Sequence, residues 1–532
     1  MQKILRLFSF IGVLSAMLLL FGCTADSSAV KTPVAQAEAT AVMAESSAAP
    51  IETPKPAPEP IVFRSGGSYS GSETELALVI DADELPLLDC FPSLKAVDLS
   101  GSSCFPEILS YREAHPDVAV RYTIPLGDQT ISNDAREATV YSLIDPDLLL
   151  YLPDLTSLTV TDPMAPLDAS RLVAAGSTLK LRYTVSVAGL TAGPETETLD
   201  LTSASPDSLE DVLNALPALP NVRKILLSPE TGESDWTLDQ ADALQSAREG
   251  LLVDYKVKIF GTEFSLSDEV VSFNGIQLKK QQDELKALLP YLKNVKRLDM
   301  ESCGISNADM AKLREEFPQP KIVWRVNIGT YSCRTDAIMI RFSSKLPSKT
   351  LYDADVQPLK YCTEMRYLDL GHNSIKRMDF LSYMPDLEVV IIAVGFMEDI
   401  SGIADHEKLE YCEFLSGRIK DLTPLASCPN LEHLNVAYNL ITDITPLYGL
   451  TKLKRLWISR NSIPKSQIEE IRRLLPDTEI NTTSQNPTGE GWRWASERDL
   501  LKCERYELLC QQFCYDTKTI TYTEETKPVF GD

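Results

Sequence analysis

The sequence predicts an α/β solenoid in which short parallel strands, one from each coil, build a curved sheet. Apolar residues recur at intervals of 22 residues, in units that start at Met365, Leu387, Leu409, Leu431 and Leu453. Within a unit they alternate over the strand, as at Leu368 and Leu370, which is the pattern of a strand with one buried face. Since a single coil cannot bury its own apolar side, neighbouring coils must stack.

A turn follows each predicted strand, at a position held by asparagine or glycine. Asn373, Asn439 and Asn461 occupy it in three units, and one asparagine side chain can both donate to and accept from a turning backbone. Gly395 and Gly417 occupy it in the other two units and offer no side-chain hydrogen bond. We therefore expect an asparagine ladder that is interrupted, with looser coils, in the middle of the array.

The full unit has the form L-x-x-L-x-L-x-x-N/G-x-I-x-x-L, as in LEHLNVAYNLITDI from Leu431. This pattern resembles the leucine-rich repeat superfamily, and the 22-residue units are similar to those of the bacterial internalin class. The resemblance implies regular leucine-rich repeats over residues 351–480, with a curved parallel sheet that has a concave face.

The first residues predict export and lipid anchoring. Lys3 and Arg6 precede an apolar run that ends in Leu20-Phe21-Gly22-Cys23, which resembles a bacterial lipoprotein signal. Residues 1–22 are then the signal peptide and Cys23 is the lipidated residue. The alternatives are an ordinary signal peptide or a transmembrane anchor, although the run is short for a membrane span. Residues 23–62 are rich in Ala, Ser, Pro and Glu and are predicted to be a disordered tether.

Residues 63–350 lack the 22-residue period but show a longer one. Strand-like core segments begin at Leu94, Leu155, Val222, Val295 and Met365. Each of the first four is followed by a predicted helix and by a second alternating strand, with an aromatic residue at a matching place: Tyr122, Tyr183, Tyr255 and Trp324. We interpret this region as degenerate, long leucine-rich-like repeats with two strands per unit, continuous with the regular repeats. A separate α/β domain is the rival interpretation.

The last part of the chain, residues 481–532, is predicted to be a C-terminal cap. It contains Trp492, Trp494, Tyr506 and Phe513. Since a solenoid needs a cap on its terminal coil, we expect this tail to cover the open end of the final coil.

Composition and motifs disfavour several classes of function. The formal net charge of −25 repels nucleic acid and anionic membranes and attracts cations or basic proteins, although solubility of an exported protein is the simpler explanation. The sequence lacks the common acyl-transfer, metalloprotease and nucleotide-binding motifs and has only 4 histidines, so we predict no catalytic residue, no metal site and no cofactor. The pairing of the cysteines other than Cys23 stays open, and Cys412 and Cys428 fall on core positions of the repeats.

The strand residues between the core positions predict a partner-binding face, because successive side chains of a strand alternate between its two sides. The candidates on this concave face are Tyr367, Tyr411, His433, Arg455 and Trp457, with Tyr438 on the flank. Tyr, Trp and Arg supply much of the energy of protein interfaces, so we expect the patch to be exposed and to bind a protein or a glycan. The alternative is that the C-terminal tail folds back and covers it.

Together these features predict a lipid-anchored protein of the bacterial cell surface that serves in recognition or adhesion. Two alternatives belong to other classes. One is a surface glycan-acting enzyme with an unrecognised catalytic module in residues 63–350. The other is a solute-binding lipoprotein of a transporter, which would be two-lobed and non-repetitive.

Overall fold

The computed structural model describes residues 59–142, 145–343, 345–489, 491–495 and 501–528. The predicted signal peptide, Cys23 and the predicted tether up to residue 58 lie outside the described residues. Ile61–Asp532 form one compact unit. Among the described residues, no helix is long and apolar enough to cross a membrane.

Four long modules follow a short antiparallel ribbon made of β1 (Ile61–Val62) and β2 (Ser68–Tyr69). Each module has three parallel strands and then an antiparallel hairpin of two strands. The first contains β3 (Glu75–Ala77), β4 (Ala96–Asp98), β5 (Ala119–Arg121), β6 (Thr123–Leu126) and β7 (Gln129–Ser132). The second contains β8 (Glu137–Val140), β9 (Ser157–Val160), β10 (Lys180–Arg182), β11 (Val185–Val187) and β12 (Leu190–Ala192). The third contains β13 (Thr198–Asp200), β14 (Lys224–Leu226), β15 (Leu252–Asp254), β16 (Lys256–Ile259) and β17 (Thr262–Ser265). The fourth contains β18 (Val270–Ser272), β19 (Arg297–Asp299), β20 (Lys321–Val323), β21 (Arg325–Ile328) and β22 (Tyr331–Arg334).

The prediction of two strands per long unit is therefore wrong. The segment from Val120 that we expected to be one strand bends at Tyr122, so that β5 extends the parallel sheet and β6 turns to pair with β7. Asn133 stabilises the bend, because its side chain accepts from the Tyr122 amide at 2.9 Å and donates to the Val120 carbonyl at 3.0 Å. The parallel strand that was not predicted is the first one of each module: β3, β8, β13 and β18. It is only three or four residues long, which is too short for a visible alternation of apolar and polar residues.

The aromatic residues at the matching places help to join the coils. The Tyr122 hydroxyl donates to the Tyr151 carbonyl at 2.8 Å, and the Tyr183 hydroxyl donates to the Ala218 carbonyl at 2.7 Å. In both cases the acceptor belongs to the next module. These contacts agree with the interpretation that the long repeats are stacked in sequence.

The helices lie between strands, on the connections of the coils. They are α1 (Phe105–Ala114), α2 (Pro166–Ala175), α3 (Leu209–Ala215), α4 (Leu238–Ser246), α5 (Gln282–Leu288), α6 (Asn307–Glu316), α7 (Asp353–Val356), α8 (Lys465–Leu474) and α9 (Glu504–Gln512). The sequence LEDVLNA of α3 and the capping box of Thr237 and Gln240 at the start of α4 are typical of helices. Ser306 caps α6 by accepting from the Asp309 amide at 3.2 Å.

The regular repeats form one continuous sheet. Its strands are β23 (Ala337–Arg341), β24 (Tyr367–Asp369), β25 (Val389–Ile391), β26 (Tyr411–Glu413), β27 (His433–Asn435), β28 (Arg455–Trp457), β29 (Glu479–Asn481) and β30 (Thr521–Thr523). The strands β23 to β29 are parallel and lie side by side in chain order. Leu368, Val390, Cys412, Leu434 and Leu456 lie opposite one another in register, and all are buried in the core. The predicted repeat register is confirmed.

The turn after each strand is built by a non-glycine residue in the left-handed conformation. His372, Val394, Ser416, Tyr438 and Arg460 have φ angles of 61°, 58°, 58°, 59° and 58°. The next position is the asparagine or glycine of the repeat. Asn439 accepts from the Ile419 amide at 3.1 Å and donates to the Phe414 carbonyl at 2.8 Å, so its predicted ladder role is confirmed.

Two of the coils have glycine at this position. A Cβ atom on Gly395 would lie 2.9 Å from the Asn373 carbonyl oxygen, and one on Gly417 would lie 2.8 Å from Asn439 Oδ1. Glycine therefore permits a close approach that any side chain would prevent. The predicted loosening of these two coils stays a prediction.

The C-terminal segment, whose described residues are 484–489, 491–495 and 501–528, lies across the face of the sheet opposite the main core. Its strand β30 pairs antiparallel with β23, and its side chains form a second apolar cluster with those of the sheet. The tail was expected to close the final coil. Its described side chains pack on the face of the sheet, and closure of the final coil by the tail stays a prediction.

Candidate binding face

The strands β24 to β28 place the predicted partner-binding residues on one face. Tyr367, Val389, Tyr411, His433 and Arg455 lie opposite one another in one row, and Asp369, Ile391, Glu413, Asn435 and Trp457 form a second row. We call these two rows the repeat face. They result from the two-residue alternation of each strand and the coil-to-coil register.

The expectation that these side chains are exposed was wrong. Tyr411 is 1% exposed, Trp457 is 0% exposed and Tyr367 is 9% exposed, because the C-terminal segment covers them. Aromatic and aliphatic side chains in two adjacent rows make an apolar area that a soluble protein rarely leaves open. The alternative arrangement, in which the tail folds back over the patch, is the one observed. A role of these residues in partner binding stays a prediction.

Trp492 of the C-terminal segment is held between two aromatic side chains of the repeat face. Its ring centroid lies 5.3 Å from that of Tyr411 and 5.2 Å from that of Trp457. The indole nitrogen donates to Glu413 Oε1 at 2.6 Å. The Arg455 guanidinium lies 4.7 Å from the centre of the Trp492 ring, a cation–π geometry. The repeat face thus contacts all sides of one tryptophan.

Glu413 and Arg493 form a buried ion pair beside this tryptophan. Glu413 is fully buried, and Arg493 donates to it from Nε at 2.9 Å and from Nη2. Burial opposes the charge of Arg493, but attraction to Glu413 outweighs it and holds the pKa of Arg493 well above its ordinary value. The planar guanidinium matches the two oxygens of a carboxylate, so the contact is geometrically selective.

A second buried carboxylate, Asp369, fixes the other end of the segment. Its Oδ2 accepts from the Tyr515 hydroxyl and its Oδ1 accepts from the Gly371 amide at 3.0 Å. Burial raises the pKa of Asp369. Nearby, Arg341 donates to the carbonyls of Cys514 and Thr519, each at 2.9 Å.

His433 is held in its neutral form. Burial, followed by the charges of Arg455, Arg505 and Lys454, lowers the pKa of His433 to about 3. Arg455 Nε donates to His433 Nδ1 at 3.1 Å, which needs an unprotonated ring nitrogen. The side chain therefore serves as a hydrogen-bond acceptor on the repeat face.

Several side chains between the repeat face and the C-terminal segment have polar atoms without a hydrogen-bond partner among the described residues. They are Tyr411 Oη, Arg455 Nη2, Trp457 Nε1 and Ser459 Oγ. Buried polar groups are nearly always paired in folded proteins. The C-terminal segment thus leaves these polar atoms without a hydrogen bond.

Sequence reasoning missed the two carboxylates and their partners. Asp369 and Glu413 stand in the same row as Ile391 and Trp457. An acidic residue next to apolar side chains of the same row was the available sequence signal, because a buried charge needs a partner. The partner of Glu413, Arg493, lies 80 positions away in the chain, and no sequence pattern connects the two residues.

Most cysteines of the described residues are buried, whereas Cys90 is exposed and Cys104 and Cys503 are partly exposed. Cys412 and Cys428 are buried in the main core, as predicted. Cys333 and Cys362 are also buried, with their Sγ atoms 3.7 Å apart. Within the described part of the chain, no group of three or more His, Cys, Asp or Glu side chains could hold a metal ion.

A known family model matches part of the regular repeats. The family model of leucine-rich repeats in two copies matches residues 414–449 and 429–473, within the regular array. No curated protein sequence matches the chain.

Three solved structures are similar to the chain. An internalin (inlF) from Listeria monocytogenes shares 16% identity over 68% of this chain and 86% of its own, with a TM-score of 0.25. A leucine-rich repeat protein of Leptospira interrogans shares 15% over 74% and 91%, with a TM-score of 0.24. The leucine-rich repeat ectodomain of the Arabidopsis thaliana receptor kinase GASSHO1/SCHENGEN3, in complex with CASPARIAN STRIP INTEGRITY FACTOR 2, shares 12% over 77% and 43%, with a TM-score of 0.22.

At these identities and TM-scores the three likenesses support no conclusion about this chain. The assignment stands on the family match and on the coil-to-coil register of the strands. The chain carries leucine-rich repeats, and its fold is that of a leucine-rich repeat solenoid.

Proposed function

We propose that this protein is tethered to the outer side of a bacterial cell membrane by lipid on Cys23 and binds another protein through its leucine-rich repeats. The lipobox-like Leu20-Phe21-Gly22-Cys23 and the polar, proline-rich stretch after it support the membrane anchoring. The repeats support the activity, because solenoids of this kind present extended surfaces for partners.

The observation that carries the proposal is that the repeat face already binds a polypeptide. It holds the C-terminal segment through ring contacts with Trp492, through the Glu413–Arg493 ion pair and through β-strand pairing. A surface that can bury and orient a peptide segment in this way has the chemistry needed for a protein partner.

A protein partner fits the surface better than a glycan does. The polar groups of the repeat face contact main-chain carbonyls and an arginine of the C-terminal segment, which a polypeptide supplies and a glycan does not. With a formal net charge of −25, the chain attracts basic surfaces over long range. The four long modules, from β3 to β22, occupy most of residues 63–350, where a separate catalytic module would have to lie.

The membrane anchoring is tested with the substitution Cys23→Ser. The parent is expected to sediment with membranes and to incorporate an alkyne-labelled fatty acid, and the variant is expected to lose both properties while keeping its circular dichroism spectrum. A variant that stays in the membrane fraction as the parent does would show that lipid on Cys23 is not the anchor.

The activity is tested by photo-crosslinking on intact cells. A photoreactive residue at Leu440, which is 51% exposed beside Tyr438, is expected to give one discrete adduct with another protein. The matched control is Tyr383, which is 53% exposed on the connecting side of the coils and is expected to give none. Equal adducts at both positions, or none at either, would refute binding by this side of the array.

A further inference from the structure

We propose that the C-terminal segment is an exchangeable occupant of the repeat face, and that the partner which replaces it presents an aromatic residue followed by arginine. The aromatic residue enters the site between Tyr411 and Trp457, and the arginine pairs with Glu413. This inference rests on the proposed function and gives the partner a chemical signature.

The first step is the selectivity of the site itself. Tyr411, Trp457 and Arg455 surround one indole ring, and Glu413 accepts from its nitrogen at 2.6 Å. The same carboxylate accepts two hydrogen bonds from the adjacent guanidinium. A site of this kind favours a planar aromatic donor next to a planar cation, and lysine would fill only part of it.

The second step is that the remaining hydrogen bonds between this part of the face and residues 484–495 are made to the main chain. Asn435 Nδ2 donates to the Pro487 carbonyl at 2.7 Å, and the Tyr438 hydroxyl donates to the Gln485 carbonyl at 2.6 Å. Arg455 Nη1 donates to the carbonyls of Gly491 and Trp492, at 2.6 Å and 3.0 Å. Every polypeptide offers such carbonyls, so the face can bind a foreign segment in the same way.

The third step is the incomplete fit of the resident segment. Tyr411 Oη, Arg455 Nη2 and Trp457 Nε1 lie at this site and have no hydrogen-bond partner among the described residues. The described residues of the C-terminal segment offer these atoms no hydrogen-bond acceptor. A partner that presents acceptors to these atoms gains an interaction that the resident segment lacks.

The fourth step is the competition between a tethered and a free occupant. Trp492 and Arg493 are joined to β29 by the short stretch 482–491. Short linkers give effective concentrations on the order of millimolar. A free peptide of the same sequence should therefore bind the parent weakly. It should bind more tightly once the resident side chains are removed.

The test uses the full mature chain and a fluorescent peptide with the sequence of residues 484–495, SQNPTGEGWRWA. The variant Trp492→Ala, Arg493→Ala is expected to bind this peptide about 100-fold more tightly than the parent does. A peptide in which the same Trp and Arg are alanine should not bind, and adding Glu413→Gln to the variant should abolish binding. Lys527→Ala, an exposed change in the same segment, is the matched control and should behave as the parent does.

Two results would overturn the inference: a folded double variant that does not bind the peptide, or one that binds the alanine peptide equally well. If the double variant does not fold, hydrogen exchange on the parent decides instead. Amides at Trp492 and Arg493 that exchange much faster than those of β26 support exchange of the segment, and exchange only through global unfolding contradicts it. Since the peptide assay needs no natural partner, its failure alongside positive crosslinks at Leu440 would refute this inference and leave protein binding intact.

Discussion

Arg493 donates two hydrogen bonds to the fully buried carboxylate of Glu413, 80 positions earlier in the chain. This ion pair joins the C-terminal segment to the middle strand of the repeat face. Both groups are largely removed from water, so each depends on the other for compensation of its charge.

Arg493→Ala is expected to destabilise the protein by about 3 to 5 kcal/mol, because it leaves the Glu413 carboxylate buried without its cation. Urea unfolding of the mature chain, followed by tryptophan fluorescence, measures this loss. The paired replacement Glu413→Leu, Arg493→Met removes both charges and should lie closer to the parent. A single variant as stable as the parent would show that the carboxylate is not held in a buried, charged state.

Leu434→Ala should cost about 2 to 5 kcal/mol, the usual range for a cavity left by a buried leucine. Leu434 is completely buried between Cys412 and Leu456 of the adjacent strands. The matched control is Leu440→Ala, an exposed change in the same coil, which should have little effect. Thermal unfolding by circular dichroism checks the pair, and equal melting temperatures would mean that the repeat register is wrong.

Val394→Gly is expected to stabilise the protein by roughly 1 kcal/mol. Val394 has a φ of 58° and is half exposed, so glycine relieves the strain of a β-branched residue in the left-handed region and removes little packing. Val270→Gly is the control, because Val270 is similarly exposed but lies in the extended strand β18, where glycine should destabilise. Denaturant midpoints give both values, and loss of stability in both variants would contradict the strain.

His433 predicts a loss of stability in mild acid. The pKa of His433 is lowered to about 3 in the folded protein from an ordinary value of 6.5, so below pH 6.5 the unfolded chain binds a proton that the folded chain does not. Stability that is present above pH 6.5 is therefore lost progressively as the pH falls towards 3. His433→Asn keeps an acceptor for Arg455 and removes the titration. The difference in unfolding free energy between variant and parent, measured from pH 7.5 to 4.5, should grow in favour of the variant; a constant difference would exclude this role of His433.

The repeat array was predictable from the sequence because its determinants are local and periodic. The spacing of Leu368, Leu434 and Leu456 defines both the strands and their register, and Asn439 acts within one coil of its own position. The third strand of each long module was not predictable, since three-residue strands such as β3 carry one core side chain and show no period.

What the sequence alone determined is the solenoid, its core and the set of side chains on the repeat face. The tertiary structure decided whether that face is open. Covering it depends on contacts between residues far apart in the chain, Glu413 with Arg493 and Asp369 with Tyr515, and on the pairing of β30 with β23. Such contacts have no period and no fixed spacing, because the chain closes a long loop to make them and any segment with the right aromatic and charged side chains can do so.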